Sequence, residues 1–365
     1  MGKLPKAKPL LKLQWQSVLS EYVTAIAWSP RGKLLAASSA SGEIMLYNAI
    51  SGHTLLLQPG DGQSIGGLAF SADGQWLASG GQDSTLRIWH IPELSFQTLD
   101  PPVCELAQTR GWIDRLQWHP LHAELAWSVG REVRVWDVGT QEIETCLQFA
   151  TSSVLDLAWH PQGTHLAVSG NQAIKIWQHC HWENEPTLWE TSAPTITIAW
   201  AEEGRYLAAG NADHTLLVWQ WGNPYPWQMQ GFAGKVRQLA WSTSVPLLGT
   251  PLLASISNND IIVWDKSTDA SIGWDACLLD LHRQKMTAIA FQPKTFLLAA
   301  ASADGWLSLW QDAKEVSQIL QGAPEGFSCL AWHPQGQHLA AGGQRGEILV
   351  WELSQRAQGF SRQKN

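Results

Sequence analysis

The sequence predicts an all-β chain in which one structural unit is written eight times. Three observations carry that prediction: an aromatic anchor returning at near-constant spacing, a second aromatic closing the apolar run behind it, and turn signals between the two. The anchors are Trp28, Phe70, Trp118, Trp159, Trp200, Trp241, Phe291 and Trp332, spaced 42, 48, 41, 41, 41, 50 and 41 residues apart. The closing aromatics are Tyr47, Trp89, Trp136, Trp177, Trp219, Trp264, Trp310 and Trp351. The near-identical phrases at 157–178 and 330–352 are the fourth and eighth units of this series. A period of this length marks a repeat array, in which a sheet too small to bury its own faces stacks between two neighbours.

Each element of a unit follows from its residues. Before the anchor, Leu155, Leu157 and Trp159 alternate with Val154, Asp156 and Ala158, the period-2 pattern of a strand. His160-Pro161-Gln162-Gly163 comes next, with Pro second and Gly fourth, as a type I turn prefers. Ser29-Pro30-Arg31-Gly32, Ser71-Ala72-Asp73-Gly74 and Ala201-Glu202-Glu203-Gly204 fill the same slot. A strand of small residues, a second polar turn and a β-branched strand ending in the aromatic complete the unit. The units span about 22–48, 64–90, 112–137, 153–178, 194–220, 235–265, 285–311 and 326–352, each followed by an outer strand. After Trp351 only a polar tail remains, so the last unit lacks its own fourth strand. Leu11, Leu13 and Trp15 alternate with Lys12, Gln14 and Gln16, which predicts that residues 10–19 supply it.

These residues resemble the WD-repeat β-propellers, whose repeat is about 40–45 residues with four strands per blade. Trp136-Asp137 and Trp264-Asp265 keep the literal dipeptide, and Asp83, Asp213 and Asp304 keep the turn aspartate six residues before the closing aromatic. Asn171 and Asn258 stand in for it, whereas Ser41, Gly130 and Arg345 depart from the pattern. The family's histidine, nine residues before the anchor, is matched only by His282. The resemblance covers residues 10–353 and implies one propeller closed by an N-terminal strand, which the count of units makes eight-bladed, with 1–9 and 354–365 as flexible termini. Seven blades plus a degenerate unit is the alternative.

Composition limits what such a chain does. Length alone suggests two or three domains, a prior that yields to a continuous array. Hydrophobic residues make up 45% of the chain, and 13 of its 23 Trp sit at the two repeat positions, where core packing explains them. Net charge is −8, and the Lys3, Lys6, Lys8, Lys12 run is short, which argues against general nucleic-acid binding. Five scattered cysteines, no glycosylation sequon and no signal-peptide core point to a reducing, cytoplasmic setting. No apolar run reaches membrane-spanning length. Met-Gly opens the chain, but Lys6 stands where myristoylation needs Ser or Thr. Phosphate-loop, zincin, hydrolase-elbow and C-x-x-C motifs are absent from the sequence.

Three groups of residues bear on function. His179-Cys180-His181 could offer metal ligands on one face, but a site needs three or four, so no cofactor is expected. The pairs His160/His165, His333/His338 and His119/His122 recur at one repeat position in different blades, and repetition explains them. The resemblance implies that residues four and six before each anchor face one mouth of the central channel. Lys235, Arg237 and Lys285 would then form a basic arc on blades 6 and 7, with Tyr22, Trp112 and Asp114 on blades 1 and 3. It also implies structural pairings of His282, Asp304 and Trp310, of Asp83 and Trp89, and of Asp213 and Trp219.

The function these features imply is a non-catalytic protein–protein interaction scaffold, a monomer or a subunit of a larger complex. Its mouth would capture an acidic or C-terminal segment of a partner protein. A propeller that binds a small molecule or a metal is the alternative, and a propeller enzyme relying on Asp114 is the third reading.

Overall fold

Every unit folds into a four-stranded antiparallel sheet whose first strand is innermost. The computed structural model describes residues 9–91, 101–107, 111–150, 152–246, 249–269 and 272–354. Of the termini expected to be flexible, 1–9 and 354–365, all but residues 9 and 354 lie outside the described residues. Blade 1 runs from inside out as Val23–Trp28, Leu34–Ser39, Ile44–Asn48 and Thr54–Gln58. Blade 7 repeats the order with Met286–Phe291, Leu298–Ser302, Trp306–Gln311 and Glu315–Gln321. Inner strands of successive blades are neighbours, and that of blade 8, Phe327–Trp332, lies beside those of both blade 7 and blade 1. The ring is therefore closed, and it has eight blades rather than seven.

Closure uses the N-terminal strand. Leu11–Val18 pairs antiparallel with Glu347–Leu353, with Leu11 opposite Leu353 and Val18 opposite Glu347. On the next blade, the Trp15 ring stacks on Tyr47 at 5.3 Å, and its indole N–H donates to Ala49 O at 3.0 Å.

Stability is distributed around the ring. The buried apolar residues fall into eight clusters, each drawn from two adjacent blades; Leu35, Ala37 and Tyr47 of blade 1, for example, pack with Ala340 and Val350 of blade 8. The second strands are small enough to lie flat in these seams; Ala36, Ala37, Ala208 and Ala209 are wholly buried.

The anchor tryptophan also latches each seam. The indole N–H of Trp28 donates to Ala331 O (3.1 Å), that of Trp118 to Ala69 O (2.9 Å) and that of Trp159 to Gln117 O (3.3 Å). Trp200 reaches Ala158 O (3.2 Å), Trp241 reaches Ala199 O (2.9 Å) and Trp332 reaches Ala290 O (3.0 Å). In every case the acceptor directly precedes the anchor of the preceding blade. Phe70 and Phe291 have no N–H to offer, so those two seams lack the latch. A second belt lies in the turns that follow. His119, His160 and His333 place Nε2 against Gly163 O (2.9 Å), Gly204 O (3.1 Å) and Gly32 O (3.1 Å) of the next blade. Those glycines have φ of 70–74°, and a Cβ on Gly163 would lie 2.3 Å from the His119 ring, so the turn admits no side chain.

Candidate functional site

One recurrent backbone bond builds the rim where the inner strands begin. Ala40 N–H donates to Tyr22 O (2.8 Å), Gln82 to Ser64 O (2.8 Å), Ala212 to Pro194 O (2.9 Å) and Ala303 to Lys285 O (2.9 Å). In these blades it ties the lead-in of the inner strand to the turn after the second strand, so both segments share one end of the ring.

The expected mouth residues are solvent-exposed. Tyr22 is 38% and Trp112 55% exposed, high values for aromatic side chains, and Asp114, Lys235, Arg237 and Lys285 are exposed as well. Lys235 and Lys285 immediately precede the inner strands Val236–Trp241 and Met286–Phe291, which are neighbours. Arg237 occupies a β-bulge between Val236 and Gln238, a device that re-aims a side chain. The three cations thus share one arc. Trp112 stands across the ring, since blade 3 is diametrically opposite blade 7, whereas Tyr22 on blade 1 is separated from blade 7 only by blade 8. Two further exposed residues lie on blade 7, Arg283 in the same lead-in as Lys285 and Trp306 at the start of the third strand, 39% exposed. Trp306 had a readable signal, because it sits at neither repeat position.

Polar side chains stitch the channel wall below Trp112. Arg115 Nε lies 3.1 Å from Asp156 Oδ1, which also accepts the Leu157 N–H at 3.0 Å. Asp156 Oδ2 accepts the Ile198 N–H of blade 5 at 3.0 Å, so one carboxylate joins three blades. Burial raises the Asp156 pKa, partly offset by Arg115 and the backbone donors. Gln117 and Gln238 accept the next blades' Trp159 and Ile289 N–H groups at 2.8 and 2.9 Å. A cavity of about 370 Å³ opens on this wall, lined by Gln117, Trp118, Asp156, Trp159, Ile198 and Trp200 among others.

In blade 7, His282 Nδ1 lies 3.1 Å from Asp304 Oδ2 and Nε2 lies 2.8 Å from Ser308 Oγ, which also accepts the Trp310 indole N–H at 2.8 Å. Ser308 is the bridge that sequence reasoning missed. The pairings expected in blades 2 and 5 need correction. Asp83 engages Arg87 and the Thr85 N–H, while Asp213 engages Ser192 and Thr215, both at 2.7 Å. The Trp219 indole instead donates to Pro224 O at 3.3 Å. The physical reason lies two residues before the closing aromatic. Arg87 and Leu217 stand there, so no hydroxyl can join Asp83 to Trp89 or Asp213 to Trp219.

His179, Cys180 and His181 diverge. His179 Nε2 sits 2.8 Å from Glu124 Oε2 of blade 3, whereas His181 Nδ1 turns to Glu183 Oε1 at 3.9 Å. Cys180 Sγ is 3.4 and 3.6 Å from the two His179 nitrogens. Near-equal distances put the sulfur over the ring face, away from either lone pair. Burial and the nearby carboxylates of Glu124 and Glu144 raise the thiol pKa, so it is not an activated nucleophile. Among the described residues no three His, Cys, Asp or Glu side chains converge as metal ligands. No helix among them is long and apolar enough to cross a membrane.

Known proteins resemble this chain throughout. The family model "WD domain, G-beta repeat" matches residues 51–90, 142–178, 188–220, 276–311 and 314–352, about half the chain. The "Anaphase-promoting complex subunit 4 WD40 domain" model matches 10–59. These matches begin at an outer strand and end with the following blade, so the sequence repeat is staggered against the structural one. Among curated relatives, anaphase-promoting complex subunit cdc20 of Dictyostelium discoideum is 30% identical over 32% of this chain and 24% of its own length. Target of rapamycin complex subunit LST8 of Mus musculus is 28% identical over 36% of this chain and 40% of its own. The chain thus spans less than half the length of these relatives. Chaetomium thermophilum Sqt1 bound to the N-terminus of ribosomal protein L10 superposes with a TM-score of 0.78 at 18% identity, covering 91% of this chain and 97% of that one. A second crystal structure of Chaetomium thermophilum Sqt1 gives 0.79 at 17% identity, covering 94% and 100%. That likeness establishes the fold, and the repeated family matches establish the lineage: the chain belongs to the WD-repeat β-propeller family.

Proposed function

We propose that this protein is a non-catalytic scaffold that holds a segment of a partner protein at the channel mouth. The observation that carries the reading is the arc of exposed cations Lys235, Arg237 and Lys285, with exposed Trp112 across the ring and exposed Tyr22 beyond blade 8. None of the three cations has an ion-pair partner among the described residues. An acidic stretch or a C-terminal carboxylate would gain charge-assisted hydrogen bonds there. The large aromatic side chains of Trp112 and Tyr22 on the same rim would supply the apolar anchors that dominate interfaces. A relative of the same fold, Sqt1, is seen with a ribosomal-protein terminus bound, which supports the class of function but names no partner for this chain. The setting we propose is cytoplasmic.

The cavity of about 370 Å³ on the wall of blades 3 to 5 favours a second reading, capture of a small molecule, because its size falls within the range of ligand sites. Affinity purification with mass spectrometry, alongside native mass spectrometry of the purified chain, separates the two. A protein retained by wild type and lost from the rim variants supports the scaffold. A stoichiometric small adduct without a rim-dependent protein supports the ligand site.

A further inference from the structure

His119 and its near neighbour His122 meet the sequence-distant His179 at the end of the ring opposite the mouth. The His119 ring lies 4.7 Å from that of His122 and 4.6 Å from that of His179, and His122 and His179 are 5.7 Å apart. His119 and Glu124 are buried, His179 is half-buried and His122 is exposed, so this is a titratable cluster with a buried centre that partner capture at the mouth does not use. Trp159 and Trp182 pack their edges against His179, and the Trp182 indole donates to Glu144 Oε1 at 2.9 Å. His119, His122, Glu124 and Glu144 belong to blade 3; Trp159, His179 and Trp182 belong to blade 4. The cluster therefore straddles one seam.

Its hydrogen bonds fix where the protons sit. His119 Nδ1 accepts the N–H groups of Leu121 and His122 at 3.1 and 2.9 Å, so Nε2 carries the hydrogen and donates it to Gly163 O at 2.9 Å. A second proton on Nδ1 would confront two N–H donors. His119 must stay neutral. His179 is the reverse case: its Nε2 faces the Glu124 carboxylate at 2.8 Å, where an imidazolium is the better partner.

We infer that the seam between blades 3 and 4 is a proton-gated joint, closed when His179 carries a proton and His119 does not, and loosened when either condition fails. The titratable groups facing His179 are Glu124, Glu144, His119, His122 and Cys180. The hydrogen bond from Glu124 raises the His179 pKa against the opposing effect of burial. Burial lowers the His119 pKa, the Gly163 carbonyl partly offsets it, and charged His179 pushes it down further. The sign follows from linkage. The stabilisation from His179 is complete below the ordinary imidazole value of about 6.5 and is lost as pH rises through its raised pKa. That from His119 is complete above about 6.5 and is lost as pH falls through its depressed pKa. The joint is tightest between the two.

Hydrogen exchange of the full chain, followed by mass spectrometry and corrected for the intrinsic rate at each pH, tests this. The reporting segments are 119–124, which contains the two amides bound by His119, and 179–184. The control is 333–338, where His333 makes the same turn bond to Gly32 without a carboxylate hydrogen-bonded to its ring. The expected wild-type result is maximal protection near neutral pH and loss on both sides in the reporting segments, with loss only on the acid side in the control. Glu124→Gln and His179→Gln should abolish the alkaline loss and keep the acid one. Protection in 119–124 that is flat from neutral to alkaline pH, or an alkaline loss that persists in Glu124→Gln, overturns the inference. Should a variant fail to fold, the wild-type comparison of 119–124 with 333–338 decides it.

Discussion

The side-chain amide of Gln318 holds the backbone of Leu11 as a neighbouring strand would: its Oε1 accepts the Leu11 N–H at 2.9 Å and its Nε2 donates to Leu11 O at 2.8 Å. The closing strand is thus gripped by blade 7 through Gln318, by blade 8 through its ladder and by blade 1 through Trp15. Gln318→Ala removes two part-buried hydrogen bonds and should cost about 1–3 kcal/mol, read from denaturant melts. Deleting residues 1–19 should do far more, because it leaves Glu347–Leu353 as an open edge prone to aggregation. A truncated chain that stays soluble and melts like the full one would show that closure does not depend on this strand.

The indole latches predict a separable effect. Trp332→Phe keeps an aromatic ring in a position where Phe70 and Phe291 already show that a phenyl group is accepted. It removes only the N–H that reaches Ala290 O at 3.0 Å. A loss of about 1 kcal/mol is expected for one neutral hydrogen bond. Thermal melts of this variant beside Phe291→Leu, whose ring makes no latch, distinguish hydrogen bonding from lost packing.

His282→Ala should lower stability by about 1–3 kcal/mol, because it takes one hydrogen-bond partner from Asp304 and one from buried Ser308. Partner retention at the mouth should be unchanged. Equal melting temperatures for variant and wild type would mean that the network contributes nothing.

Reversing Lys235, Arg237 and Lys285 to Glu alters only exposed positions, so the fold should survive while the proposed partner is lost. Like charges across an interface slow encounter and lower affinity. That loss should shrink in high salt, since exposed charges are screened. Trp112→Ala should weaken the same partner by about 2 kcal/mol or more, with little dependence on salt, as expected of an apolar hot spot. Retention of every partner by both variants at both salt concentrations would remove the mouth from consideration.

What was legible in the sequence was whatever the repeat writes eight times. Trp159 and Trp332 announce strand, turn and register because each sits in an identical seam. Closure by residues 10–19 was legible too, since the tail after Trp351 is polar while Leu11, Leu13 and Trp15 alternate with polar residues. Contacts that join different blades were not. His179 meets His119 and Glu124 because blade 4 packs on blade 3, and no spacing encodes the reach of a side chain across that seam. Ser308 was invisible for another reason: a small polar residue inside an apolar strand reads as tolerance until His282 and Trp310 are seen to share it.

The pairing of Leu11 with Leu353 carries a mechanical consequence. The first and last strands run antiparallel, and their chain ends emerge at the same end of the ladder. Tension applied between the two termini therefore loads Leu11–Leu353 first, then Lys12–Glu352 and each later pair in turn, as a zipper opens. A shear geometry would instead strain all of those bonds at once. A ring so sealed resists heat through eight shared seams, yet under pull it parts at one strand, while blades 1 to 7 keep all four of their own.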